Sequence, residues 1–224
     1  MATRVSRGPY LKGVERRQEI LDQALEVFAD QGASKMSLRA VSARLGISHG
    51  AVQHYFSTLE ELMLAGIAES DRRSEQWAAA HAGETLMEEL LETARHNASV
   101  RGLVAAYTSL LAASIEPGNT LARTFFAKRF AYGRALLAEA IQAGSTGQRL
   151  HSDRAGTIAA AALVIAAFDG LQVQWLLDPD LDIAASVQLL APIVGDAPAI
   201  FARYQASSIR ALEDALRAEA SNAS

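Results

Sequence analysis

The fold of this chain is indicated most clearly by the stretch SLRAVSARLGISHGAVQHYF, Ser37 to Phe56. Its first part places Leu38, Val41 and Leu45 at intervals of three and four, as in a helix with one apolar face. Gly46 can adopt the left-handed conformation that ends a helix. Ser48 can cap a second helix. The stretch therefore predicts two short helices joined by a tight turn.

The second predicted helix has an apolar side and a small, polar, uncharged side. The inner positions are Ala51, Val52, Tyr55 and Phe56, and the outer positions are His49, Gly50, Gln53 and His54. About seven residues with a rise of about 1.5 Å each make a rod ~10 Å long, which fits end-on into a DNA major groove about 12 Å wide. These dimensions favour a helix-turn-helix, although a purely structural corner of a helical protein has the same periodicity.

A longer segment, residues 14–67, resembles the DNA-binding domain of the TetR family of repressors. The resemblance lies in RRQEILDQALEVFADQGASKMSL (Arg16 to Leu38), AVSARLGIS and HGAVQHYFSTLEELML. It implies an all-α fold: an N-terminal three-helix helix-turn-helix DNA-binding domain, then a C-terminal helical ligand-binding and dimerisation domain. We expect a flexible basic arm at residues 1–13, the DNA-binding domain at 14–60 and the effector-binding and dimerisation domain at 61–224.

The resemblance also implies a function. We expect a sequence-specific transcriptional regulator, a repressor that a small-molecule effector releases from a palindromic operator in double-stranded DNA, acting as a cytoplasmic homodimer. Gln53 is the best candidate for contacting a base, although the family commonly has a tyrosine at this position and a lysine at Leu59. The full set of candidate DNA-contacting residues is Ser37, Arg39, Arg44, Ser48, His49, Gly50, Ala51, Gln53, His54 and Tyr55.

Composition is compatible with this function. The chain has 224 residues, of which 50% are hydrophobic, and it has no cysteine, which excludes disulfides and thiolate metal sites. Its net charge of −4 is unevenly distributed, because residues 1–60 carry eight Lys or Arg against six Asp or Glu and the remainder is acidic. The longest apolar run, Ile158 to Phe168, is shorter than the roughly 18–20 residues that span a bilayer, so we expect a soluble protein without a membrane contact.

Local signals predict the other helices. Capping boxes at Ser57–Glu60 and Thr85–Glu88 mark two helix starts, the first of a long helix to about Ala80. The remaining helices are predicted at Val14–Asp30, Leu103–Ile115, Asn119–Ala143, Thr157–Leu177 and about Pro198–Ala220. The run AFDGLQVQWLLDPD resembles the penultimate, dimerisation helix of the family, and Ile183–Pro192 is expected to be its partner helix.

No motif for catalysis or metal binding stands out. There is no GxSxG and no phosphate-binding glycine loop, and Glu92 and His96 lack the second copy that a di-iron bundle needs. We therefore expect no enzyme activity, no cofactor and no metal. Candidate ligand-binding residues, each of which could instead be core, are Trp77, His96, Tyr107, Phe126, Gln172 and Trp175. Two alternatives stay open: a ligand-binding or catalytic helical protein whose N-terminal corner is structural, and an activator or architectural protein with the same motif.

Overall fold

The computed structural model describes residues 9–32, 36–80, 85–144 and 153–222, without the side chains at 9–12, 29, 31, 73–80, 201, 202, 205, 207 and 222. The described residues form eleven α-helices and no strand, which confirms the predicted all-α fold. The helices are α1 (Pro9–Gln31), α2 (Leu38–Leu45), α3 (His49–Gln53), α4 (Leu59–Ala80), α5 (Leu86–Ser99), α6 (Arg101–Ser114), α7 (Thr120–Gly144), α8 (Arg154–Leu177), α9 (Ile183–Gln188), α10 (Ala191–Val194) and α11 (Phe201–Asn222).

The first helix is longer than predicted. It begins at Pro9, so Pro9–Gly13 is helical where the sequence predicted a flexible arm. Proline suits the first position of a helix because the N–H that it lacks would have no intrahelical partner there. Residues 1–8, the rest of the predicted arm, lie outside the described residues.

The start of α4 is capped one residue later than predicted. The Thr58 hydroxyl accepts the Glu61 N–H at 3.0 Å, and the Glu61 carboxylate accepts the Ser57 N–H at 2.8 Å. The predicted Ser57–Glu60 pairing is therefore wrong. The Glu60 carboxylate instead accepts the N–H of Ala122 at 2.8 Å, in the first turn of α7, where helical N–H groups have no intrahelical partner.

A hydrophobic cluster joins the N-terminal helices to the rest of the molecule. It contains Val41, Val52 and Phe56 from the predicted helix-turn-helix together with Phe125 of α7 and Leu212 of α11. The boundary predicted after residue 60 falls inside α4, the helix that runs through this cluster. The helix-turn-helix is therefore anchored directly on the C-terminal helices.

A second hydrophobic cluster lies among α5, α7, α8, α9 and α10. It includes Leu86, at the start of α5 behind the confirmed Thr85–Glu88 capping box, and Trp175 of α8. The predicted partner helix Ile183–Pro192 is divided into α9 and α10, of which Ile183 and Val194 are buried in this cluster. The long helix that follows, α11, packs instead against α4 and α7.

Close approach of α7 and α11 depends on Gly133. A Cβ atom at this position would lie 2.7 Å from Cε2 of Tyr204, closer than real Cβ contacts. The missing side chain thus lets Tyr204 lie against the backbone of α7. The sequence left the role of the last helix undecided, and the structure places it across α4 and α7.

Helix α8 combines a buried and an exposed apolar side. By length and composition it could cross a membrane, with a mean hydropathy of 1.7, a property that core helices share. Only 28% of that apolar window is buried within the chain. On the exposed side, Leu163 is 54%, Val173 41% and Leu177 84% accessible. The expectation from the run Ile158 to Phe168 understated this apolar length, because Asp169 interrupts the run but not the helix.

Candidate DNA interface and ligand cavity

The turn between α2 and α3 is built from local hydrogen bonds. The Ser37 hydroxyl caps α2 by accepting the Ala40 N–H at 3.0 Å. Gly46 ends α2 at φ +64°, in the left-handed region, and the Ile47 N–H then donates to the Ser42 carbonyl at 3.0 Å. These contacts fix the direction in which the chain enters α3.

Helix α3 is short and firmly anchored. Ser48 caps it by accepting the Ala51 N–H at 3.2 Å, and Val52 and Phe56 are completely buried. The helix covers His49–Gln53, five residues rather than the predicted seven or so. It ends early because the Tyr55 N–H donates to the Val52 carbonyl three residues back, a tighter turn that brings Phe56 into the core.

The outward side of α3 is small and polar. Gly50, Gln53 and His54 are exposed, whereas His49 and Ala51 are partly buried. Tyr55, also a predicted contact residue, is half-buried against the first cluster, with the His54 ring edge-on at a centroid distance of 5.2 Å. The face available to a partner is thus centred on Gly50, Gln53 and His54.

Two of the predicted phosphate contacts are arginines of α2. Arg39 is exposed. Arg44 makes exposed ion pairs with Asp30 at 3.2 Å and Glu26 at 3.8 Å on α1. Such surface pairs are worth only about 0–1 kcal/mol, so a phosphate can compete for the guanidinium. Sequence reasoning did not single out the contact of Arg17 with the Phe56 ring, 4.7 Å from the centroid, because the two residues are far apart in the chain.

A cavity of about 170 Å³ lies among α4, α5, α6, α7, α8 and α11. Its apolar lining includes Leu86, Leu90, Leu103, Val104, Leu137, Val164, Ile165, Phe168 and Ile200. Its polar lining includes Asp71, Glu89, His96, Tyr107, Arg129, Asp169, Gln172 and Tyr204. A largely apolar cavity with a few polar groups is the usual form of a small-molecule site. Among the described residues, no group of three His, Asp or Glu side chains is arranged to hold a metal ion.

The six predicted ligand residues are divided between the cavity and the core. The structure places His96, Tyr107 and Gln172 in the described cavity lining. Phe126 and Trp175 are outside that lining: Phe126 is buried in the first cluster and Trp175 in the second, where the Arg101 guanidinium lies 5.0 Å from its ring centroid. The Trp77 side chain lies outside the described residues.

Arg129 is a cavity residue that sequence reasoning missed. It is only 7% exposed, and its guanidinium pairs with Asp71 of α4 and donates to the Ser208 hydroxyl of α11. The rings of Tyr107 and Tyr204 lie 5.5 and 5.3 Å from it. Burial is the largest single influence on the pKa of Arg129 and lowers it, but the Asp71 carboxylate together with Tyr204 and Tyr107 raises the pKa by more, so the side chain stays charged. The only sequence signal was one arginine within the aromatic run FFAKRFAY of α7.

Asp169 is the other unusual charge in the cavity. Burial raises its pKa from 3.8 to about 6, although the nearby Arg129 charge and a hydrogen bond from the Tyr107 hydroxyl at 3.4 Å oppose this rise. Burial also raises the pKa values of Tyr107 and Tyr204. Near neutral pH, therefore, the cavity contains a carboxylate that is poorly solvated and only weakly hydrogen-bonded.

Sequence comparison matches the N-terminal helices to known proteins. The family model described as "Bacterial regulatory proteins, tetR family" matches residues 20–65. Over 76 residues the chain is 36% identical to the HTH-type transcriptional repressor AcnR of Corynebacterium diphtheriae, covering 34% of this chain and 40% of that protein. Over 54 residues it is 41% identical to the HTH-type transcriptional regulator SrpR of Pseudomonas putida, covering 24% and 25%. The match thus spans less than half the length of these relatives.

Solved structures match over most of the chain. The multidrug binding protein EbrR, solved with imidazole, is 25% identical with a TM-score of 0.56 and covers 89% of this chain and 98% of its own. The fatty acid degradation regulator FadR from Bacillus halodurans is 19% identical with a TM-score of 0.62, covering 80% and 97%. At this identity, the second likeness concerns the fold alone.

Proposed function

We propose that this chain, which belongs to the TetR family of bacterial regulatory proteins, is a sequence-specific DNA-binding transcriptional regulator. The observation that carries the proposal is the presentation of α3. Ser48 caps it, Val52 and Phe56 anchor it in the core, and an uncharged polar face around Gln53 remains exposed. A short helix held in this way is suited to insertion into a major groove.

In the proposed complex, base edges are contacted from α3 and phosphates from its surroundings. Gln53 is proposed to pair with a base, adenine being the base that glutamine can contact through two hydrogen bonds. Phosphate contacts are proposed for Ser37, Arg39, Arg44, Ser48 and Tyr55, with His49, Gly50, Ala51 and His54 completing the interface. The N-terminus of α3 is thereby directed towards the groove.

Salt and sequence dependence test the DNA interface. The assay is fluorescence anisotropy with a duplex from the promoter beside the chain's own gene and a scrambled duplex, across a salt series. Binding should weaken by about one unit of log-log slope per phosphate contact. Gln53→Ala should reduce the preference for the promoter while leaving the slope unchanged, and Gln142→Ala, on an exposed site of α7, is the control. If the chain binds no genomic fragment, the proposed function as a DNA-binding regulator is excluded.

A homodimer is proposed on the exposed apolar stripe of α8. Leu163, Val173 and Leu177 lie on the side of α8 opposite to buried Val164 and Trp175. The exposed small residues Ala159 and Ala166 lie on the same side as Leu163. An apolar helical face of this kind is stabilised by burial against a second copy. Two copies related by a two-fold axis would bind a palindromic operator with half-sites roughly 34–36 Å apart, or a multiple of that distance.

Sedimentation velocity tests the dimer. Leu163→Asp places a charge in the proposed interface and should convert a dimer into a monomer at micromolar concentration. Ile115→Asp is the matched control, because Ile115 is an apolar residue that is 78% exposed at the end of α6. A dimer that survives Leu163→Asp, or a native chain that sediments as a monomer, would contradict the proposed interface.

We further propose that the regulator is a cytoplasmic repressor released by a small effector bound in the cavity. EbrR, a structural neighbour, is described as a multidrug binding protein and has been solved with imidazole and with ethidium. Release requires an effector that binds more tightly to the conformation with low DNA affinity. A reporter gene behind the operator should be more active without the chain than with it; the opposite result would indicate an activator.

A further inference from the structure

Acidic side chains outnumber basic ones in the described lining of the cavity. Its described lining contains three carboxylates, Asp71, Glu89 and Asp169, but only one guanidinium, that of Arg129. Asp71 pairs with Arg129, and Glu89 accepts the Ile200 N–H at 2.6 Å. Asp169 makes no ion pair among the described residues and is compensated only by the nearby Arg129 charge and by a hydrogen bond of 3.4 Å from the Tyr107 hydroxyl. The described lining therefore carries more negative than positive charge, and Asp169 is its carboxylate without an ion pair.

We propose that the cavity selects an organic monocation with an apolar body, such as an aryl quaternary ammonium or a protonated lipophilic amine, and that Asp169 is its counter-ion. This inference rests on the proposed effector site and names the class of ligand that the site takes. Asp169 lies beside apolar Val164, Ile165 and Phe168 in the cavity wall, so a cation there interacts with it through a medium of low dielectric. The ring of Phe168 adds a cation–π surface.

An anion fits the cavity less well. The Arg129 guanidinium is already occupied by Asp71 and Ser208 and is bordered by two tyrosine rings. An added anion would also lie near Asp169 and Glu89. One observation points the other way, because Nε of Arg129 is buried and has no hydrogen-bond partner among the described residues. An anionic probe is therefore the necessary competitor in the test.

Protonation of Asp169 should weaken cation binding. The charged and titratable groups that face Asp169 are Tyr107 on α6, Arg129 on α7 and Tyr204 on α11. The remaining titratable groups of the described lining are Asp71 on α4 and Glu89 and His96 on α5. From α9 and α10, the residues packed on α8 include apolar Ile183, Val187 and Val194. Because the Asp169 pKa is about 6, the carboxylate loses its charge at mildly acidic pH.

Calorimetric titration of the full chain with three probes of similar shape tests the charge preference. The probes are phenyltrimethylammonium, its neutral isostere tert-butylbenzene and benzenesulfonate. At pH near 7.5 the cation should bind roughly ten-fold or more tightly than either of the others. Its affinity should fall by about ten-fold at pH near 5, since its own charge is fixed and Asp169 becomes protonated.

Variants assign the effect to one side chain. Asp169→Asn should reduce cation affinity by about ten-fold and abolish the fall in affinity between pH near 7.5 and pH near 5 that Asp169 causes. Thermal melting verifies that this variant folds. Asp180→Asn, an exposed change just after α8, should leave cation binding unchanged. His96→Gln is a second control, and the pH dependence of the native chain is measured without any variant.

Three outcomes would overturn the inference: equal or tighter binding of the neutral or anionic probe, no binding of the cation, or full cation affinity in a folded Asp169→Asn chain. Operator binding is measured separately. A cation that binds through Asp169 without changing operator affinity supports the ligand class and contradicts the proposed effector release. A chain that binds its operator but no cation contradicts the ligand class and leaves the regulator intact.

Discussion

Removing Arg129 from its pairing with Asp71 should strongly destabilise the contact between α7 and α4. Replacing Arg129 with Met keeps most of the volume but leaves the Asp71 carboxylate, whose side chain is 22% exposed, without its counter-charge. Removing one partner of a buried pair costs about 3–5 kcal/mol, and the partial exposure of Asp71 favours the lower end, ~3 kcal/mol. The Ser208 hydroxyl also loses its donor.

Urea unfolding measures this loss. Stability is compared at pH near 7.5 and at one fixed chain concentration, because a dimer's stability depends on concentration. Asp71→Asn is combined with Arg129→Met in a double-mutant cycle, which should give a coupling of about 2–3 kcal/mol. Lys128→Met removes an exposed cation from the same helix and should change the stability by less than about 0.5 kcal/mol.

Small or additive effects would refute this reasoning. If Arg129→Met costs less than about 1 kcal/mol, the buried pair does not hold α4 against α7. If the two substitutions are additive within about 0.5 kcal/mol, each side chain acts without the other. A changed slope of stability against urea would show instead that the substitution altered the denatured or native ensemble.

Four further substitutions, of which Gly50→Ala is a control, test local features by urea unfolding. Gly46→Ala places a methyl group at φ +64° and should cost about 1 kcal/mol, whereas Gly50→Ala, within α3 and with open space around it, should not destabilise the chain. Glu60→Ala leaves the Ala122 N–H without its acceptor and should cost about 1–3 kcal/mol and speed hydrogen exchange at that amide. Asp169→Asn should stabilise the chain above pH 6 by up to ~3 kcal/mol, since the native pKa is about 6 against 3.8 and each pKa unit corresponds to about 1.36 kcal/mol. Between pH 3.8 and about 6 the native Asp169 carboxyl binds more protons than the unfolded one, so the stability gained by Asp169→Asn should shrink as pH falls towards 4. A gain in stability that does not depend on pH would contradict a raised Asp169 pKa.

The fold was predictable because its signals are local. Ser37, Gly46 and Ser48 set the turn through contacts within a few residues, and the capping box at Thr85 starts α5 in the same way. Helical periodicity also identified which side of α3 is inside. The error at Ser57 was small, because Ser57 and Thr58 are both good caps and only packing of Glu60 on α7 decides between them.

The cavity was only partly predictable, because periodicity shows which residues face inward and not whether the interior there is filled. Phe126 and Tyr107 are both inward, with ring centroids 5.5 Å apart, yet only Tyr107 is in the described cavity lining. Arg129 and Asp169 gave even less signal. Their partners Asp71 and Tyr107 are distant in the chain, so their environment depends on tertiary packing.

Helix α4 is held to α7 at two points, and these contacts link the cavity to the helix-turn-helix. Glu60 binds the start of α7 and Asp71, roughly three turns further along α4, binds Arg129. Tyr107 contacts both Arg129 and Asp169, so an occupant beside Asp169 lies one side chain away from the second attachment. The first attachment adjoins the cap of α4, immediately after α3 and Phe56. In the proposed regulator, a ligand that favours a different position of α7 should therefore also favour a different position of α4 and of the helix-turn-helix packed on it. A ligand that binds both arrangements equally would leave DNA affinity unchanged.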